Sequence, residues 1–176
     1  MEQQVLTQDF DLYYGDATTV SEKGYVPYGW QFSDEDVSMA AHNGKRINLF
    51  GLYDRQNRFH YWLKLGTINA ETVIEMLDEF SWTIQRRCVV VLDNASPHRS
   101  KKVRQMIPYW EARGLHLFFL PPYSPHLNIV ERLWKEIKAR YLEPLDYRSA
   151  DDLFYGLNRV CANIGVQLNL NWENSR

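Results

Sequence analysis

Asp16, Asp93 and Glu131 are the side chains whose chemistry would matter most if folding brought them together. Hydrolysis or transfer of a phosphodiester places negative charge on the attacking, leaving and phosphorus oxygens at once, and two divalent ions about 4 Å apart can stabilise all of it. Mg2+ takes hard oxygen ligands and keeps several waters, so a few carboxylates plus substrate phosphate suffice to hold it. Gathered carboxylates repel one another without a cation, so such a site stays incomplete until metal binds. Each residue also has an ordinary explanation. Asp16 and the Asp93-Asn94 pair suit turns. Glu131 suits the first turn of a helix capped by Asn128, where it complements the helix dipole, and it can pair with Lys135 four residues on. His98 can orient a carboxylate or phosphate near Asp93, or serve as a structural hydrogen-bonding group.

The elements that would have to position these residues follow from periodicity. Alternation over 11–16 reads as a strand with Asp16 at its end, and 21–36, with Gly24, Pro27 and Gly29, reads as a loop or irregular arm. Two β-rich runs, 46–53 and 58–65, flank a turn at 54–57. Asn69 caps a helix whose apolar face is Val73, Met76, Leu77, Phe80 and Ile84. The unbroken apolar run 88–92 is a strand covered on both faces, ending at Asp93. A helix over 99–113 is expected to kink or split at Pro108 and to end at Gly114. A strand at 115–120 leads through a Pro-rich loop, 121–127, to a helix from Asn128 to about Tyr141, and Ser149 opens a last helix. Three antiparallel-type strands followed by strand-helix alternation predict an α/β fold: a mixed five-stranded sheet flanked by helices, in the order of the ribonuclease H-like fold. Ligands of such sheets collect beyond the carboxyl ends of strands, so Asp16 and Asp93 can meet although 76 residues lie between them.

Composition narrows the partners. Of 176 residues, 45% are hydrophobic and 24% charged, enough for one cored domain. No apolar run is long enough to span a membrane, and the first residues lack the pattern of a secretory leader, so the expected location is the cytoplasm, acting on a chromosome. Cys88 and Cys161 are too few for a disulfide framework and read as buried small hydrophobes. The net charge of −2 does not by itself announce a nucleic-acid ligand. Arg99, Lys101, Lys102 and Arg104, and then Lys135 and Lys138 on the side of Glu131, are either solvated helix faces or contacts to phosphates. Trp30 and neighbouring Tyr residues pack locally or stack on bases.

Two segments carry a specific resemblance. VVVLDNASPHRS (89–100) and LFFLPPYSPHLNIVERLWKEIK (117–138) resemble the Asp-Asn-x-x-x-His and Leu-Pro-Pro-Tyr-Ser-Pro-x-Leu-Asn-x-x-Glu signatures of the IS630/Tc1/mariner superfamily of DDE transposases. LYYGDATTVSEKGYVPYGW (12–30) is similar to the first acidic segment of that family, which maps the first ligand onto Asp16 and a later Gly-Trp onto Gly29 and Trp30. Ala17 stands where relatives often have Glu, and His126-Leu127-Asn128-Ile129 where many read Asp-Leu-Asn-Pro. The resemblance implies a ribonuclease H-like catalytic domain over 1–176 without the helix-turn-helix that recognises transposon ends. It implies Mg2+ or Mn2+, two ions, held by Asp16, Asp93 and Glu131, with Asn94, His98 and Asn128 in support. It also implies double-stranded DNA as substrate, bound in part by Arg99, Lys101, Lys102, Lys135 and Lys138, with cleavage at terminal inverted repeats and insertion at TA. The acting form would be a homodimer, helped by a separately encoded helix-turn-helix portion, in a prokaryotic host. The alternatives are a DNA-binding module descended from a transposase and a generic ribonuclease H-like nuclease.

Overall fold

The computed structural model describes residues 10–23, 44–121 and 127–170. Strands β1 (Asp11–Ser21), β2 (Arg46–Tyr53) and β3 (Phe59–Leu65) form an antiparallel meander. The β2–β3 turn is tied by Asp54, whose Oδ1 accepts from the amides of Gln56 (2.9 Å) and Arg58 (2.8 Å). Asn57 completes it with φ 63°, a left-handed conformation that Asn adopts more readily than most residues with a side chain. Helix α1 (Ala70–Ser81) starts where Asn69 Oδ1 accepts from the Thr72 amide at 3.0 Å, as expected of a cap. Then come β4 (Cys88–Leu92), α2 (Lys101–Ala112), β5 (Leu115–Phe119), α3 (Val130–Glu136), which continues as a π-helical turn (Ile137–Tyr141), and α4 (Ala150–Asn163).

The sheet order is β3-β2-β1-β4-β5, with β4 parallel to both β1 and β5. Because side chains alternate along a strand, each strand feeds two cores. Tyr13, Phe50, Leu52, Val90 and Leu92 pack under α1 and α2. Leu12, Tyr14, Leu49 and Val91 face α3 and α4, which contribute Leu133, Trp134, Leu153 and Leu157. The expected mixed five-stranded sheet between helical layers is what the chain builds. Both cysteines are buried and unpaired.

Three local expectations give way. β1 does not stop at Asp16 but runs on to Ser21, because 17–21 pair with β2 from Ala17↔Phe50 to Ser21↔Arg46. The partner that prolongs the strand lies some thirty residues downstream and leaves no local trace. Helix α2 runs unbroken through Pro108. Pro108 and Arg104, whose carbonyl loses its helical donor to the proline, are both exposed, so water can satisfy what the ring cannot. Helix α3 begins at Val130 rather than directly after Asn128, and the Glu131 amide bonds back only three residues, to the Asn128 carbonyl at 3.2 Å. Most of the loop expected over 21–36, with Gly29 and Trp30, and residues 122–126 of the Pro-rich loop lie outside the described residues.

Candidate active site

The β1–β4 register ends at Gly15↔Leu92. Asp16 and Asp93 are therefore the next residues on neighbouring parallel strands, which run roughly 4.8 Å apart. Alternation continued from Tyr14 and Val91 turns both carboxylates toward the α3–α4 layer. Asp16 is thus interior to β1 yet lies just past the end of its pairing with β4, and this gives it the strand-end position that the sequence assigned for a different reason.

The two carboxylates have opposite electrostatic settings. Burial pushes the Asp16 carboxyl up to about 6. The charge of Asp93 adds to that push, while the Ala17 amide, the Trp134 indole and His98 oppose it. The Trp134 bond runs from Nε1 to Asp16 Oδ2 at 3.2 Å. Asp93 is held below the usual carboxylate range, chiefly by the His98 hydrogen bond, against partial burial and with help from the Ala95 amide. His98 Nδ1–H donates to Asp93 Oδ1 at 2.6 Å, and the same oxygen accepts from the Ala95 amide at 3.0 Å. The His98 side chain is only 3% exposed whereas that of Asp93 is 44% exposed: the imidazole is spent on orientation while the carboxylate faces solvent. The ring edge of Phe50 closes the other side of His98, centroid to centroid 6.0 Å.

The α3 helix is stitched along β1 by three polar bonds in order. Asn128 Nδ2 donates to the Gly15 carbonyl (3.1 Å), Trp134 to Asp16, and Lys138 Nζ to Thr18 Oγ1 (2.6 Å). Asn128 is buried and also accepts from the Val130 amide at 3.3 Å. Glu131 occupies the first turn of α3 between the first two stitches and is half-buried. Among the described residues no ion pair joins it to Lys135, and no three His, Cys, Asp or Glu side chains are gathered closely enough to hold a metal ion. The structure brings Asp16 and Asp93 together; it places Glu131 on the helix packed against them without closing the set. Asn94 Nδ2 bonds the Leu120 carbonyl, fixing the exit of β4 to the end of β5.

Of the proposed DNA contacts, Arg99, Lys101 and Lys135 are exposed and, among the described residues, in no ion pair. Lys102 is tied to Glu71. Lys138 is half-buried, and burial lowers its ammonium from the usual lysine range while Asp16 works against that. Trp134, Thr18 and Gly51 are the residues that sequence reasoning missed. Trp134 belongs by spacing to an apolar stripe with Val130, Leu133 and Ile137, which gives no sign of a polar role, although an indole N–H in a core needs an acceptor. Gly51, the β2 partner of Asp16, makes room for it: a Cβ there would lie 2.6 Å from both the Trp134 and Phe59 rings.

Residues 11–154 match the family model described as DDE superfamily endonuclease. The chain belongs to that family. An uncharacterised protein of Sinorhizobium fredii, y4pE/y4sA, is 27% identical over 113 residues, covering 63% of this chain and 77% of that protein. Among solved structures, the Mos1 mariner paired-end complex with Mn superposes with a TM-score of 0.69 at 20% identity, covering 91% of this chain and 51% of its own. The Mos1 strand transfer complex gives 0.65 at 19%, covering 92% and 50%. The catalytic core of BIV integrase gives 0.57 at 12%, covering 91% and 86%. This DDE endonuclease therefore has the ribonuclease H-like fold of transposase and integrase catalytic cores, and it spans about half the length of the mariner transposase chains it matches.

Proposed function

We propose that the chain is the catalytic domain of a DNA transposase, cleaving element ends and joining them to target DNA, at TA in the reading that the mariner resemblance suggests. The observation that carries this is the Asp16–Asp93 pair at the β1–β4 edge, one carboxylate buried and the other solvent-facing, in a DDE endonuclease fold. In the same reading residues 1–176 form one catalytic domain that acts as part of a homodimer on two DNA ends, with end recognition supplied by a helix-turn-helix portion.

The donor set fits hard divalent cations. Asp16 and Asp93 offer oxygen and repel one another, and the nearby imidazole is already committed to Asp93; both cysteines are buried in the cores. Asp16, Asp93 and Glu131 would hold Mg2+ or Mn2+ as a pair of ions, and bound ions would supply the charge that steadies the attacking and leaving oxygens. The residues around them do the rest. His98 fixes the orientation of Asp93 and keeps it ionised, and Trp134 fixes Asp16. Asn128 anchors the helix that carries Glu131 and Asn94 fixes the loop that carries Asp93. Arg99, Lys101 and Lys135 face solvent, free to meet phosphates, and Lys138 lies beside Thr18 at the edge of the pair.

Asp93→Ala should abolish Mn2+-dependent nicking of plasmid DNA while circular dichroism stays that of the wild type; unchanged nicking would sink the assignment. Strand joining by the wild type separates a transposase from a generic nuclease. Salt-sensitive binding with no cutting in Mn2+ would instead leave a DNA-binding module.

A further inference from the structure

A cleft of about 500 Å3 opens on the face of the sheet opposite the Asp16 carboxylate, where β1 and β2 run past the first turn of α1. Ala17, Thr19, Arg46, Asn48, Thr67 and Ile68 line it. Its place follows from alternation: Ala17 and Phe50 pack on the α1–α2 core, so Thr19 and Asn48, two residues from each, share that face. The floor is fixed, because the Thr19 hydroxyl donates to Asn48 Oδ1 at 2.5 Å and Asn48 Nδ2 donates to the Gly66 carbonyl. That leaves the Arg46 guanidinium and the Thr67 hydroxyl as donors. Arg46 is exposed and, among the described residues, makes no ion pair.

The electrostatics favour an anion. Lys64 Nζ sits at the first turn of α1, 2.7 Å from Thr72 Oγ1, and the helix start adds partial positive charge. Of the neighbouring carboxylates, Glu71 is neutralised by Lys102, and Glu22 keeps its charge but is turned to the Lys45 amide at 2.8 Å. Among the described residues no aromatic ring lines the cleft, and these residues offer no platform on which a base could stack. A guanidinium beside a hydroxyl instead matches phosphate oxygens. Thr19 lies three residues from Asp16 along β1, roughly 10 Å.

We propose that this cleft is a phosphate-binding subsite for the backbone of DNA that passes over the end of the sheet, on the face away from the Asp16 and Asp93 carboxylates. The proposal rests on the DNA reading of the active site, and its test does not require catalysis. Anisotropy of a labelled DNA duplex is titrated with the full chain in EDTA from about 50 to 200 mM salt. Arg46→Gln should lower the slope of log K against log salt by about 1, equally on two unrelated sequences. Thr67→Val should weaken binding severalfold with the slope intact, and Arg148→Gln, just before α4 on the opposite face of the sheet, should change neither. Wild-type affinity and slope in Arg46→Gln, or unchanged affinity in Thr67→Val, overturn the subsite even if wild-type nicking in Mn2+ upholds the proposed function. A wild-type chain that binds no DNA at any of these salt concentrations overturns both.

Discussion

Replacing Asp16 with Asn should make the metal-free protein more stable at neutral pH. The folded carboxyl titrates at about 6 against 3.8 for the unconstrained group. Since one unit corresponds to 1.36 kcal/mol, ionised Asp16 weakens the fold by about 3 kcal/mol above pH 6. Asn keeps the shape, its Oδ1 can still accept from Trp134, and it removes the charge facing Asp93. Relief of about 1 to 3 kcal/mol is expected, and for a chain of this size each kcal/mol moves Tm by roughly 2–4 °C. The pH window has a definite sign. The folded state binds the Asp16 proton more tightly than the unfolded state, so the contribution of Asp16 to stability is greatest below 3.8 and is lost as pH rises to about 6. The advantage of the variant should therefore emerge across that window and level off above it. Denaturant melts in EDTA at pH 4, 5, 6 and 8 measure this directly. Saturating Mn2+ should then close or reverse the gap, because a ligand at 100 times its Kd stabilises the wild type by about 2.7 kcal/mol and has lost a donor in the variant. A variant less stable than wild type at pH 8 in EDTA, or a difference that does not vary between pH 4 and 7, would refute the argument that Asp16 is strained by burial.

Other perturbations test the surrounding shell. His98→Ala should weaken Mn2+ binding by about 10- to 100-fold, the usual effect of losing a group that orients a ligand, and His98→Gln should recover part of it; Mn2+ titration followed by electron paramagnetic resonance reports both. Below pH 6 the wild-type affinity for Mn2+ should fall by up to about tenfold per unit, because the Asp16 proton must leave first; calorimetry in two buffers counts that proton. Gly51→Ala should destabilise by about 1–3 kcal/mol, since the new Cβ meets two aromatic rings, and should shift the Trp134 fluorescence as the indole is displaced. Asn128→Ala should cost about 1–3 kcal/mol by leaving the buried Gly15 carbonyl and Val130 amide without their partner, read as a lower Tm.

Much of this protein was legible because local physics is written locally. The apolar run Cys88–Leu92, the stripe Val130, Leu133, Trp134 and Ile137, the Asn69 and Ser149 caps and the turn at 54–57 each follow from spacing over a few residues, and together they determine a mixed sheet with helices on both faces. Asp93 and Glu131 stood out for the same reason, set in long motifs beside elements whose ends could be read. Tertiary structure decided what depends on partners remote in sequence. The length of β1 was set by β2, the continuity of α2 through Pro108 by which face met water, and the meeting of Asp16 with Asp93 by a parallel register that no local pattern encodes. The role of Trp134 belongs here too, since a hydrogen-bond partner 118 residues away turns a core indole into the support of a carboxylate, whereas His98, five residues from Asp93, already had that orienting role as one of its two readings in the sequence. Residue types determined that a carboxylate site was chemically available; burial and strand register decided that one of its acids keeps its proton up to about pH 6 while its neighbour stays charged well below that.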